Sequence, residues 1–260
     1  MIDDNPLLKA FENAPFSKIE TSHFKPAIFK AIEIARAEID AIVNKNEAPT
    51  FKNTIEALEF SGKKLDRVTS IFFNLNSAET NEEIQKIAQE ISPLLSEFKN
   101  DIILNEELFL KVKQIYSNKE SFNLNGEALM LLDKKYKAFS RNGANLDSED
   151  KNKLREIDKK LSSLSLKFGE NVLAETNRFE LHLENKEDLA GLPEDVVVAA
   201  NEVAISRGKE GWVFTLEYPS YIPFMKYSSK RDLRKKMALA FGAKGFHNDE
   251  LDNQENVLQI

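Results

Sequence analysis

Residues 211–227 read GWVFTLEYPSYIPFMKY. The run holds the single tryptophan, three of the five tyrosines and two of the eight prolines. It opens as WVFTL at 212–216, a β-branched and aromatic composition that suits a pleated strand. Its character changes at Tyr218, Pro219 and Ser220, because Pro219 fixes its own φ and steers Tyr218 away from the helical region. The strand is an exception in this chain. Everything before it reads mainly as long amphipathic helices, and after it come one more helix and a stub.

Working back from that run, the apolar residues fall into helical periods. Residues 1–25 form an irregular arm broken by Pro6 and Pro15. From Pro26, Ile28, Ile32, Ala35, Ile39 and Ile42 recur at spacings of three and four. A second helix is expected over 50–76 on Ile55, Leu58, Leu65, Val68 and Phe72, with Gly62 inside it as a sign of close packing by a neighbour. A third is expected over 81–104, bent by Pro93. Asn105 caps a fourth, with Glu106 and Glu107 at its positive end. Asn125-Gly126 precedes a fifth, and Asp147 caps a sixth running to near Thr176. The stripe of that last helix is Leu154, Ile157, Leu161, Leu164, Phe168 and Val172, spaced almost as a coiled-coil seam.

At Arg178 the period changes to two. Phe179, Leu181 and Leu183 alternate with Glu180, His182 and Glu184, as in a half-buried strand over 178–183. Pro193 opens a helix to about Gly208. The 212–216 strand is next, then a helix through Leu233, Met237 and Phe241 with a capping-box start at Ser229 and Asp232. A final turn begins near Asp252. The expected fold is mainly α: a helical domain of long antiparallel helices over 1–177, then a small α/β segment over 178–260 with two or three short strands. No period of 33 to 47 residues repeats, so a helical-repeat array is not expected.

The chain has 260 residues, 42% of them hydrophobic and 30% charged, which is a soluble globular composition. A net charge of −7 argues against nucleic acid as a partner, since phosphate binding needs a basic field. No apolar run approaches the roughly 20 residues of a membrane span. The first residues, MIDDNPLLKAFENAP, carry acids where a secretory signal needs positive charge, and the expected location is the cytoplasm. Cysteine is absent, which removes thiol nucleophiles, disulfides and cysteine-ligated metal sites. No phosphate-cradling glycine motif occurs among the nine glycines.

The remaining chemical groups are sparse. His23, His182 and His247 are far apart, and none stands in H-E-x-x-H, the spacing that places two imidazoles and a base on one helix face. His247 with Glu250 makes an H-x-x-E fragment, but Leu251 comes next and the inverted motif fails. No catalytic and no metal-ligating residue is assigned, and no cofactor is expected in the chain. Acid pairs such as Glu106-Glu107 and Glu149-Asp150 read as helix-start charges rather than a general acid and base. Tyr218, Tyr221 and Tyr227 are the candidate substrate-binding residues. Beside two prolines they could line a peptide groove with hydroxyls on substrate carbonyls, or they could anchor the strand to the helices.

A resemblance runs through the chain in register. NPLL at 5–8, FKNTIEAL at 51–58, RVTSIFF at 67–73, NDIILN at 100–105 and LAGLP at 189–193 are joined by GW at 211–212, YPSYIP at 218–223 and RDLR at 231–234. Together they resemble the N-terminal part of the thimet oligopeptidase, oligopeptidase A and dipeptidyl carboxypeptidase family of zinc metallopeptidases. The N-terminal half is more similar to the peptidyl-dipeptidase branch, and the YPSY run to oligopeptidase A. The resemblance implies a zinc-dependent parent that hydrolyses short peptides, with these helices as one wall of a deep channel. It also implies that H-E-x-x-H and a later glutamate ligand lie downstream of Ile260, in a catalytic half that this chain lacks. The expected reading is therefore a truncated piece, inactive alone, ending at Val257 to Ile260 without a helix stop. Two other classes remain: a stand-alone helical peptide-binding protein, and a helical adaptor for a protein partner.

Overall fold

A computed structural model describes residues 4–260. The chain divides into two compact units, Met1–Ser163 and Leu164–Ile260. The boundary falls inside a helix, whereas the sequence changes texture at Arg178.

In the first unit, α1 (Thr21–Val43) begins five residues before the proline expected to open it. The cause is a reciprocal cap: the Glu20 side chain accepts the His23 amide, and His23 Nδ1 accepts the Glu20 N–H at 3.1 Å. Pro26 then lies inside the helix, in its second turn, where it leaves the Ser22 carbonyl without its amide donor. At the other end Lys111 Nζ donates to the carbonyls of Ile42, Val43 and Lys45 at 3.0, 2.7 and 2.9 Å, satisfying groups the helix leaves open.

The single helix expected over 50–76 is three pieces: a π-helical turn (Phe51–Glu56), α2 (Ala57–Phe60) and α3 (Lys63–Ala78). The break is at Gly62, which has φ +74°. Nothing lies within 4 Å of where its Cβ would stand, so the left-handed backbone, and not a close neighbour, requires glycine there. Its amide donates to Glu38 Oε2 at 2.8 Å.

The cap expected at Asn105 is present, and Asn81 and Asn125 cap their helices in the same way. Asn81, Asn105 and Asn125 each accept the third amide of α4 (Glu82–Ile103), α5 (Glu106–Ser117) and α6 (Gly126–Arg141), at 2.9, 2.8 and 2.9 Å. Pro93 lies within α4 as expected. Ile39, Ile42, Ile55, Leu58, Leu108, Val112, Ile115, Leu132 and Phe139 close one core. Phe109 stacks on Phe139 at 5.9 Å within it.

α7 (Ser148–Arg178) is continuous over 31 residues, about 46 Å at 1.5 Å per residue, and Asp147 Oδ1 accepts the Asp150 amide at 2.9 Å. Its expected stripe is not core. Ile157, Leu161 and Phe168 are exposed, and the buried residues of the helix are Asn171 and Glu175.

In the second unit β1 (Leu181–Leu183) pairs antiparallel with β2 (Trp212–Phe214), placing Leu181 opposite Phe214 and Leu183 opposite Trp212. Both strands are shorter than the sequence suggested. Two strands alone are marginal, and α8 (Glu194–Ser206) packs against β2. Gly211 enters β2 with φ +83°, and a Cβ there would stand 2.3 Å from the Leu183 carbonyl.

After β2 comes the largest correction. Residues 218–227 are helical: α9 (Tyr218–Tyr227) starts with Pro219 in its first turn, a place that needs no amide donor. The extended conformation that the sequence assigned to Tyr218 belongs to Glu217, the N-cap residue, with ψ 143°. α10 (Arg231–Gly242) is next, without the expected capping box: its N-cap residue is Lys230, whose side chain accepts no amide. Instead Ser228 Oγ accepts the Lys230 N–H at 3.2 Å, and Arg234 donates to the Ser228 carbonyl. α11 (Gln254–Gln259) ends the chain.

Phe214, Phe224, Met237, Leu181, Leu183 and Leu189 form the core of this unit, with Phe214 edge-on to Phe224 at 4.7 Å. A buried asparagine cluster ties the last segment to α7. Asn171 Nδ2 donates to Asn253 Oδ1 at 3.0 Å, Asn253 Nδ2 to the Phe168 carbonyl at 3.1 Å, and Asn256 Nδ2 to Asn253 Oδ1 at 2.8 Å. Among the described residues no helix is long and apolar enough to cross a membrane.

Candidate functional site

The three candidate tyrosines all lie on α9, which the sequence places by two local devices. Ser220 Oγ accepts the Thr215 amide at 3.0 Å, bending the chain from β2 into the helix. The amides of Ser220 and Tyr221 then donate to the Glu217 carbonyl at 3.0 and 2.8 Å. Phe224 anchors the helix in the core and is fully buried.

Helical geometry separates the tyrosines. Tyr218 and Tyr221 are three residues apart and share a side. Tyr227 is nine residues beyond Tyr218, half a turn out of phase at 3.6 residues per turn. The contacts obey that geometry. Tyr221 stacks on Phe241 of α10 at 4.1 Å and 15°, and Tyr218 meets the same ring edge-on at 5.9 Å. Lys244 Nζ lies 4.0 Å from the Phe241 centroid, completing an aromatic and cationic stack. Tyr227 is elsewhere, with Lys226 Nζ 4.9 Å from its ring.

Tyr218 is 68% exposed, so its ring and hydroxyl face solvent above the stack. Tyr221 is half-buried against the core. The structure therefore joins Tyr218 and Tyr221 around Phe241 and leaves Tyr227 apart. Phe241 is visible in the sequence only as the end of an apolar stripe, and Lys244 gives no signal there.

The three histidines have local partners. His23 caps α1, His182 Nε2 is 2.6 Å from the Glu210 carbonyl, and His247 Nε2 is 3.5 Å from Glu175 Oε1. Among the described residues no three His, Asp or Glu side chains converge to hold a metal ion. The densest charge cluster is at the end of α7, where Arg178 meets Asp249 at 2.5 Å, Glu250 at 3.0 Å and Glu175 at 3.2 Å. The Arg178 hydrogen bond, helped by the Leu251 amide, holds the Asp249 carboxyl below its ordinary range. Lys209, and after it Arg207, does the same for Glu180. These groups clamp segments together, which is a structural task rather than that of an acid or base.

No family model matches the chain. Individual relatives do. The dipeptidyl carboxypeptidase of Escherichia coli is 34% identical over 246 residues, covering 94% of this chain and 36% of that protein. Oligopeptidase A of Haemophilus influenzae is 33% identical over 240 residues, covering 92% of this chain and 35% of that protein. The chain is homologous to these peptidases. A thimet-like oligopeptidase of Dictyostelium discoideum is 30% identical over 202 residues, 76% of this chain and 29% of that protein. The chain spans about a third of the length of the curated relatives it matches. The similarity covers both units, since 92% or more of the chain aligns with the first two relatives.

Proposed function

We propose that this chain is the N-terminal, channel-wall part of a zinc-dependent oligopeptidase or peptidyl-dipeptidase that hydrolyses short peptides in the cytoplasm. The observation that carries this is the pairing of nearly complete coverage of this chain with coverage of about a third of each peptidase relative. Zinc and the groups that act on the scissile bond then belong to the rest of the polypeptide, the catalytic half that is the partner of this one. The described residues do not fit a zinc site, because each histidine is engaged locally, the acids beside His247 are held by Arg178, and no three His, Asp or Glu side chains converge.

The task left to this part is to admit and orient short peptides. Tyr218 and Tyr221 suit it: a rigid aromatic pair buttressed by Phe241 offers a face for side chains, and the exposed Tyr218 hydroxyl can donate to a peptide carbonyl. Tyr227, on another side of the same helix, would reach a different part of the peptide. The test is direct. The purified chain is dialysed, analysed for zinc, and offered a fluorescence-quenched peptide. No stoichiometric zinc and no hydrolysis are expected; one tightly held zinc per chain, or turnover, overturns the reading.

A further inference from the structure

A cavity of about 220 Å³ opens between α1, α2, α3, α4 and α6, wholly inside the first unit. Its floor is apolar: Leu58, Leu65, Phe98 and Phe139 line it, and each is buried from solvent. The room exists because the chain breaks between α2 and α3. Gly62 lines the mouth, and nothing lies within 4 Å of where its Cβ would stand. A cavity of about 150 Å³ with such a lining takes up benzene, so in proportion this one takes about nine non-hydrogen atoms.

The polar groups of the mouth decide what those atoms carry. Ser61 Oγ donates to the Leu58 carbonyl and the Gly62 amide to Glu38, both at 2.8 Å. The cation that lines the mouth is Lys135, and its charge is spent on Glu59 at 2.6 Å. The Asp66 carboxylate lines the mouth too, and it has no hydrogen bond or ion pair among the described residues. Partial burial raises its pKa, with Lys135 opposing and Glu59 adding. No other side of the mouth supplies a free cation. Arg36 of α1, beside Phe98, is held by Asp101 of α4 at 2.7 Å, and Lys63 of α3 lies over the Phe60 ring at 4.0 Å. Lys64, Lys99 and Lys134 neighbour lining residues in sequence but line no part of the cavity.

We propose that this cavity binds a small amphipathic amine, its apolar body on the floor and its ammonium on Asp66 at the mouth. The site is apart from the tyrosine stack on α9, so it stands whether or not the peptidase reading does.

The probe is 2-phenylethylamine, a molecule of the size the cavity takes, and the control is phenylacetate, the same ring with an anionic end. Titration of the amine into the whole chain, followed by the methyl NMR signals of Leu58 and Leu65, is expected to show one-to-one binding. So small a ligand should have a Kd of about 0.1–1 mM. Phenylacetate is expected to bind about fivefold more weakly, or less well still. Asp66→Asn is expected to remove that difference, and Ala138→Phe, which places a ring at the mouth, to remove binding of both. Both positions are open to solvent, and circular dichroism verifies that each variant keeps its helices. An amine can also arrive as the lysine side chain of another protein, so acetyl-lysine amide is the third probe. It is expected to bind more weakly than phenylethylamine, because its polar amides gain nothing from the floor. Tighter binding of acetyl-lysine amide overturns the proposal, since the cavity then belongs to a protein partner. So do equal affinities for the amine and phenylacetate, a preference that survives Asp66→Asn, binding unchanged in Ala138→Phe, or the absence of binding at about 10 mM amine.

Discussion

Two glycines show how much a single Cβ weighs here. Gly62 and Gly191 both hold left-handed backbones, with φ +74° and +90°. Around Gly62 the space is open, so Gly62→Ala adds only backbone strain and is expected to cost about 1 kcal/mol. At Gly191 the new carbon would stand 2.3 Å from the Tyr227 carbonyl and 2.6 Å from Ser229 Oγ. Ser229 is itself held there by its amide to the Ala190 carbonyl at 2.7 Å, so the neighbour cannot move away cheaply. Gly191→Ala should therefore cost several-fold more, about 3 kcal/mol or above, and chemical denaturation of the two variants measures the difference. Both glycines are plain in the sequence. Their separate reasons are not, because the neighbours of Gly191 come from nearly forty residues further along.

Glu180 gives the pH-dependent counterpart. Its carboxyl is held below the usual range by Lys209 and then Arg207, tying the approach of β1 to the loop after α8. A lowered carboxyl contributes stability above its unfolded value of about 4.3, and that contribution is lost as pH falls through the folded value. Glu180→Gln is thus expected to lower stability by about 0.5–1 kcal/mol at pH 7, the pair being partly open to solvent. The gap should close as the pH is taken down through the carboxylate range. Thermal melts at pH 7 and pH 3.5 decide it, and a gap that widens at low pH would be the wrong sign.

Among the elements, the legible ones announce themselves locally. The Asn81, Asn105, Asn125 and Asp147 caps stand directly before apolar periods, and each holds the amide three residues on. The misread ones turn on competition between local rules. Read alone, Pro219 extends its neighbour, yet one residue of shift puts the proline in the first turn of α9, where its missing amide costs nothing. Pro26 looks like a start because the cap made by Glu20 and His23 is not among the usual short polar caps. The seam of α7 is legible as a period but not as an exposed face, since spacing shows which residues share a side and never what covers it. For α9 the consequence is measurable. Tyr218→Phe keeps the ring beside Phe241 and removes the hydroxyl, whereas Phe241→Ala removes the buttress behind both tyrosines. Under the proposed function, a short peptide titrated into the chain should bind a few-fold more weakly to Tyr218→Phe and about tenfold more weakly to Phe241→Ala. If Tyr218→Phe and Tyr218→Ala both bind as the parent does, the tyrosines are packing alone.

For the whole chain, the second unit is the one with too little to bury. Its sheet has two strands of three residues each, supported on one side by α8. Its surface carries Ile205 at 65% exposure, Leu239 at 63%, Phe246 at 62% and Leu258 at 81%. In α11 the residue that turns inward is Asn256, held by Asn253, so the short helix is tied down by polar bonds while Val257, Leu258 and Ile260 point outward. Apolar exposure on that scale favours contact with further protein, and in a dilute solution of the chain the protein available is another copy. The chain is therefore expected to self-associate through its last segment as concentration rises. Val257→Ser with Leu258→Ser should reduce that association, at no cost to the Asn171, Asn253 and Asn256 bonds that fix the segment, and Ile157→Glu should leave it unchanged. Sedimentation velocity over a hundredfold range of concentration separates the cases. A parent chain that stays monomeric throughout would mean that the exposed side chains of the second unit are satisfied by water, and that nothing has to cover them.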